Sequence, residues 1–432
     1  MATTVIGGGN TSITVYGDET VIAGNGKDTI RVTGTASVWA GQGDDKITIG
    51  SGTVVAGSGD DSITLQGNGD VTVYSGDDTV SVSGTASVRA GQGDDKITIG
   101  SGTVVAGSGN DSITLHGDGD VTVYSGDDTV SVSGTASVRA GSGDNSISII
   151  SGTVVAGNGE DTVNINGSGD VTVGSGNDRI SIAGNANVQV GNGSDVITVT
   201  GNASVHAGIG ADEISVGSGT VFAGGGNDTI TIGGAGDITV GAGSDNLTLS
   251  GPGKITQQGV GGHDTITLGS GADTVVEAGR ATIMGGFGSA TLSGGTLDTN
   301  ANYASVVGGS STIIAGSGNE LLRAFSGATT NFVGGSGNDT FWAGSGLDTF
   351  TGGSGHNLFV FGVSEISSGQ TLITNFVHGQ DQLFFGGYGS VANILAHDVT
   401  YSGGNAYISL GSGQITIELK GVTNLSTSDF HP

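Results

Sequence analysis

The stretch that decides the fold lies between Ala40 and Val82, which contains AGQGDDKITI (Ala40 to Ile49), AGSGDDSITL (Ala56 to Leu65) and YSGDDTVSV (Tyr74 to Val82). Each segment is a Gly-rich acidic loop followed by a short apolar alternation. In KITI the period-two pattern turns Ile47 and Ile49 inward and Lys46 and Thr48 outward, which describes a half-buried strand. A second strand per coil puts Val54 and Ala56, Val71 and Val73, then Val88 and Ala90 at the inward places. Between the acidic loops lie turns such as GSGT at Gly50, NGD at Asn68 and SGT at Ser83, which carry Gly but no G-x-G-x-D. Each coil therefore has two strands of three to five residues and two turns, with an acidic loop on one edge only.

Outward from this stretch the pattern repeats. Ala36 to Thr85 recurs at Ala86 to Thr135 with four changes, Trp39 to Arg89, Asp60 to Asn110, Gln66 to His116 and Asn68 to Asp118. The last acidic position of each loop falls at Asp28, Asp45, Asp61, Asp78, Asp95, Asp111, Asp128, Asn145, Asp161, Asp178, Asp195, Asp212, Asp228 and Asp245, always 16 or 17 residues apart. A repeat of this period means a solenoid, in which each coil is stabilised mainly by its neighbours. The fold expected is all-β: a right-handed parallel β-roll, or two-sheet β-solenoid, of about twenty coils with a C-terminal β-rich cap.

Composition agrees with a cation-dependent chain. The 432 residues include 89 Gly, two Pro and no Cys, with 40 acidic against 11 basic residues and a formal charge of -29. Such acidity excludes a nucleic-acid partner held through phosphates and a direct contact with an anionic membrane. A parallel stack sets Asp45, Asp61 and Asp78 one above another at the strand spacing. Two unit charges about 5 Å apart repel by roughly 3 kcal/mol at an effective dielectric of 20, so the column needs cations. Calcium suits it, because it takes six to eight hard oxygen ligands and Gly-rich loops can aim carbonyls at the same point. Zinc prefers His or Cys, and the seven His show no ligand spacing. Asp and Gly are also common turn residues, but a turn does not need Asp at one fixed place in thirteen of fourteen consecutive coils.

GGSGNDTF from Gly334 resembles the repeats-in-toxin nonapeptide G-G-x-G-x-D-x-U-x, where U is large and apolar; AGSGLDTF and GGSGHNLF follow at nine-residue steps. The resemblance implies a calcium β-roll in which the last Asp of each nonapeptide ligates calcium together with backbone carbonyls. That role carries to Asp339 and Asp348 and to the single-edge loops, with Asp264 and Asp273 in the same candidate set. Asn145, Glu320 and Asn357 depart from Asp, and Ala290 removes the ligand, so sites there are expected to be weak or missing.

After about residue 320, where ten of the twelve Phe occur, FWAG, FTGG, LFVF and LFF imply a fatter core and a closing cap. LITNFVHGQDQLFF, AYISLGSGQITIELKGV and the terminal LSTSDF resemble the ends of serralysin-like and other proteins exported by type I secretion, whose uncleaved signal is C-terminal. The N-terminal MATTVIGGGN shows no Sec-type signal pattern, consistent with that export route. The expected divisions are a regular β-roll over 1–264, degenerate coils over 265–333, a nonapeptide β-roll over 334–362, and a cap with secretion signal over 363–432.

No H-E-x-x-H occurs, and His116, His206, His263, His356, His378, His397 and His431 stand singly, so no enzyme is expected. The function expected is a secreted, calcium-binding structural protein of the cell surface or matrix. It would fold on calcium after passing the secretion apparatus, and it could self-associate end to end or side to side. The alternatives are an ice-binding or glycan-binding adhesin module and, last, a carbohydrate-active enzyme. Against ice binding, Gln42, Ser58, Ser75 and Gln92 replace the Thr such loops would carry, and Lys46, Lys96 and Arg179 interrupt the column beside Thr48, Thr64, Ser81, Thr98 and Thr114.

Overall fold

A computed structural model describes residues 2–258 and 368–432 and, between them, 262, 264–269, 273–276, 281–285, 289–292, 295–299, 303–306, 310–315, 319–324 and 329–362. In the strands between 273 and 315 only the backbone is described, except at Val275, Ile313 and Ile314. The chain is nearly all β and holds about 18 turns of parallel β-solenoid. It divides into two compact units, Met1–Ile209 and Gly210–Pro432.

In the first unit every coil pairs in parallel with the next. Lys46–Val55 lies on Ser62–Leu65 and on Gly69–Thr72, with Ile47 opposite Ile63 and Val54 opposite Val71. The alternation works as the sequence implies: Ile47, Ile49, Val54, Ala56, Val71 and Val73 are all buried. Thr48, Thr64, Ser81, Thr98 and Thr114 align on one outer face. Trp39 is 56% exposed, so its indole stands outside the core.

Several strands are longer than expected. Thr29–Trp39, Thr79–Arg89 and Thr129–Arg139 run eleven residues through the non-acidic corner without losing their parallel pairing. The corner of a 17-residue coil holds one residue more than that of a 16-residue coil. The extra residue is absorbed by a register shift between Val32 and Thr35, repeated between Val82 and Thr85 and between Val132 and Thr135. A bulge of this kind bends a strand while the bonds on either side of it persist.

In the second unit the late coils form two parallel sheets. One contains Thr329–Val333, Leu347–Thr351 and Gly369–Ile373, and the other Leu321–Ala324, Thr340–Trp342, Leu358–Gly362 and Gln382–Gly386. Phe332 and Phe350 stack from the first sheet with centroids 5.4 Å apart, and Phe341 and Phe359 from the second at 4.9 Å. All four are fully buried, which gives this core its greater thickness. Ile415–Leu419 continues the first sheet in parallel, and then pairs antiparallel with Asn405–Leu410, which itself pairs antiparallel with Val399–Ser402. This change of sense is the β-rich cap. Among the described residues the helical pieces, such as Val391–Asn393 and Ile394–Asp398, are at most five residues long.

Candidate metal centre

Most acidic loops of the first unit turn on a glycine in the left-handed region, as at Gly43 (φ 123°), Gly76 (φ 125°) and Gly93 (φ 130°). At Gly76 the need for glycine is twofold. L side chains rarely adopt that φ, and a Cβ would lie 2.1 Å from the Gly59 carbonyl of the neighbouring coil. The glycine therefore lets loops stack, and the stacking carries the acid two residues later into the interior.

There the aspartates form a column. The backbone N–H of Asp28 donates to Oδ1 of Asp45 at 2.8 Å, Asp45 to Asp61 at 2.8 Å, and Asp61 to Asp78 at 2.8 Å. The chain of bonds goes on through Asp95, Asp111 and Asp128, and from Asp161 through Asp178 to Asp195. In the second unit Asp212, Asp228, Asp245 and Asp264 are joined in the same way, as are Glu320, Asp339, Asn357 and Asp381. All of these side chains are at most 2% exposed.

In twelve of these aspartates one carboxylate oxygen is thus used and the other is not. The Oδ2 atoms of Asp28, Asp45, Asp61, Asp78, Asp95, Asp111, Asp128, Asp161, Asp178, Asp228, Asp245 and Asp339 are buried and receive no hydrogen bond. Buried polar atoms are nearly always paired, so a column of bare carboxylate oxygens calls for a counter-charge. Burial pushes Asp61, Asp78, Asp111, Asp178 and Asp228 up to about 7. It pushes Asp95, Asp128 and Asp245 up to about 6. The accepted N–H opposes the shift and the neighbouring carboxylates add to it. Asp339, against Glu320, is raised by burial and by that second acid.

Among the described residues no three His, Asp or Glu side chains converge on one point. Any cation in the column must therefore draw on backbone oxygen as well. The loop supplies it: no donor among the described residues reaches the carbonyls of Gly43, Gly59, Gly76, Gly93 or Gly126. Bare carboxylate and carbonyl oxygens in a flexible Gly-rich loop suit a hard divalent cation of variable coordination.

A family comparison matches the chain over residues 258–276 and 326–359 to the RTX calcium-binding nonapeptide repeat, in four copies. The chain carries RTX calcium-binding repeats on a parallel β-solenoid. Its nonapeptides bind calcium, and several copies give several calcium sites. No curated protein matches the chain. The matched residues are a fraction of the chain, while the column of buried carboxylates also occupies the first unit outside them.

Two candidate residues stand apart from the column. Asp348 lies in the opposite sheet from Asp339, between Thr330 and Thr371. Its Oδ1 accepts the Thr330 hydroxyl at 2.6 Å and its Oδ2 the Gly344 N–H at 3.0 Å, so both oxygens already have protein donors. Asp273 begins the strand Asp273–Val276, and its side chain lies outside the described residues, as does that of Ala290.

Two features of the solenoid escape a reading of the last acid alone. Asp381 closes the column although its loop, VHGQD, lacks the motif; the following QLFF alternation is its only signal. A second, exposed column lies one residue earlier, at Asp44, Asp60, Asp77, Asp94, Asn110, Asp127 and Asp144, and its bonds run the other way. Asp60 N–H donates back to Asp44 Oδ1 at 3.2 Å, Asp77 to Asp60 at 3.0 Å and Asp94 to Asp77 at 2.9 Å. The signal was present in the acidic doublets DD and ND. Lys27 pairs with Asp44 at the start of this column.

Proposed function

We propose that this RTX β-roll is a secreted, non-enzymatic structural element of a cell surface or extracellular matrix, whose aspartate column folds around calcium after export. The supporting observation is the run of buried carboxylates, twelve of them with a bare Oδ2. A chain of formal charge -29 repels itself, so binding energy becomes folding energy, and low intracellular calcium keeps the chain threadable during export. On this reading the ligands are Asp28, Asp45, Asp61, Asp78, Asp95, Asp111, Asp128, Asp161, Asp178, Asp195, Asp212, Asp228, Asp245, Asp264 and Asp339. Asp348 and Asp273 would serve the opposite edge. The divisions after residues 264, 333 and 362 would separate regular coils, degenerate coils, nonapeptide coils and a cap bearing the secretion signal. RTX-repeat proteins are typically exported by type I systems, and among the described residues no helix is long and apolar enough to cross a membrane. Circular dichroism during a calcium titration tests the reading. A β signal that grows with calcium and collapses in chelator is expected. A full β signal with unchanged melting temperature in chelator overturns it.

A further inference from the structure

We infer that the side-chain amide of Asn145 takes the place of the cation between its own coil and that of Asp161, so that the column is divided by a junction that holds without metal. The inference rests on the proposed calcium column and concerns one position within it.

Asn145 is 1% exposed and occupies the register of the aspartates. Its backbone N–H donates to Asp161 Oδ1 at 3.0 Å, as an aspartate's would. The difference is at the side chain. Nδ2 donates to the carbonyl of Gly143 at 2.9 Å and to Oδ1 of Asp161 at 2.9 Å. One nitrogen thus bridges a loop carbonyl of its own coil and a carboxylate of the next, the two kinds of oxygen that the aspartate coils leave for a cation. Gly143 keeps the left-handed φ of 128° found at Gly76 and Gly126 (125° and 129°), so the loop itself is unchanged. In those coils no described donor meets the corresponding carbonyl.

The chemistry is consistent. A neutral amide brings two N–H donors and no charge, so it satisfies the carbonyl and removes one negative charge from the stack. Asp128 donates its N–H to Asn145 Oδ1 at 3.2 Å, so the bond from the preceding coil also survives. On its Asp161 side a coil with Asn at this place is closed by hydrogen bonds alone, while on the other side Asp128 Oδ2 stays bare. Within the first unit it separates the run Asp28 to Asp128 from the run Asp161 to Asp195.

The test is calcium stoichiometry of the full chain by native mass spectrometry, with hydrogen exchange in chelator. Asn145→Asp is expected to bind one calcium more than the wild type, and residues 143–161 to lose protection in chelator relative to the wild type. Asp95→Asn, which copies the Asn145 arrangement elsewhere, is expected to bind one calcium fewer and stay folded. If the wild type binds calcium but Asn145→Asp binds the same number, the amide does not replace the ion and the inference falls. If the wild type binds none, it is the underlying calcium column that fails. Should Asn145→Asp not fold, Asp95→Asn decides: an unchanged count overturns the inference.

Discussion

At Asp78 a buried carboxylate does two jobs: Oδ1 accepts the Asp61 N–H, while Oδ2 meets no donor. The two jobs separate in a single substitution. Asp78→Asn keeps an acceptor for Asp61 and removes the charge, so its effect reverses with conditions. In calcium it should destabilise by about 1–3 kcal/mol through loss of a charged ligand, and in chelator it should stabilise by relieving like-charge repulsion. Chemical denaturation in calcium, and the residual β signal of both proteins in chelator, check the change of sign. The same group fixes a pH dependence. Its folded-state value is about 7 against an ordinary 3.8. A raised value means that the folded state holds a proton which the unfolded chain has lost. The stabilisation is therefore complete below about pH 4 and is lost as pH rises through about 7. In chelator the β signal should be larger at pH 5 than at pH 7.5. Calcium competes with that proton, so calcium affinity should fall as pH drops below about 7.

The elements bear a different kind of load. Gly76→Ala should cost at least about 1–3 kcal/mol, because it forces a left-handed non-glycine residue and a Cβ 2.1 Å from the Gly59 carbonyl. Thermal melts in calcium would register it, whereas Tyr74→Ala, an exposed change in the same loop, should be near neutral. This contrast shows what was legible in the residues themselves. The inward places of Ile47, Ile49, Val54 and Val71 followed from alternation, since a strand in a thin two-sheet core has only two faces. The column of final acids followed from a constant 16- or 17-residue step. The eleven-residue strand Thr29–Trp39 was hidden, because Thr33 and Gly34 look like a turn, and only the pairing of Thr35 with Ser51 shows the ladder rounding the corner. The placement of Asp348 was hidden for a related reason. Its motif matches that of Asp339, but its neighbours in the stack are Thr330 and Thr371, which nine residues of sequence cannot reveal. The bridging role of Asn145 was also out of reach, because spacing locates a residue and says nothing of where its amide donates.

For the whole molecule, the near-identity of Ala36–Thr85 and Ala86–Thr135 makes length adjustable. Deleting Ala86–Thr135 joins Thr85 to Ala136 and reproduces the junction that Thr135 now makes. In a solenoid whose energetics are mostly nearest-neighbour, the shortened chain should fold in calcium with little change in melting temperature. It should bind about three fewer calcium ions, one for each of Asp95, Asp111 and Asp128; loss of folding would show that the block is not modular. The opposed senses of the two acid columns have a mechanical counterpart. Every seam between these coils is stitched twice, once by an acceptor reaching from above and once by an acceptor reaching from below. A force peeling the stack from either terminus meets the same pair of stitches, so the seam has no weak side from which to unzip.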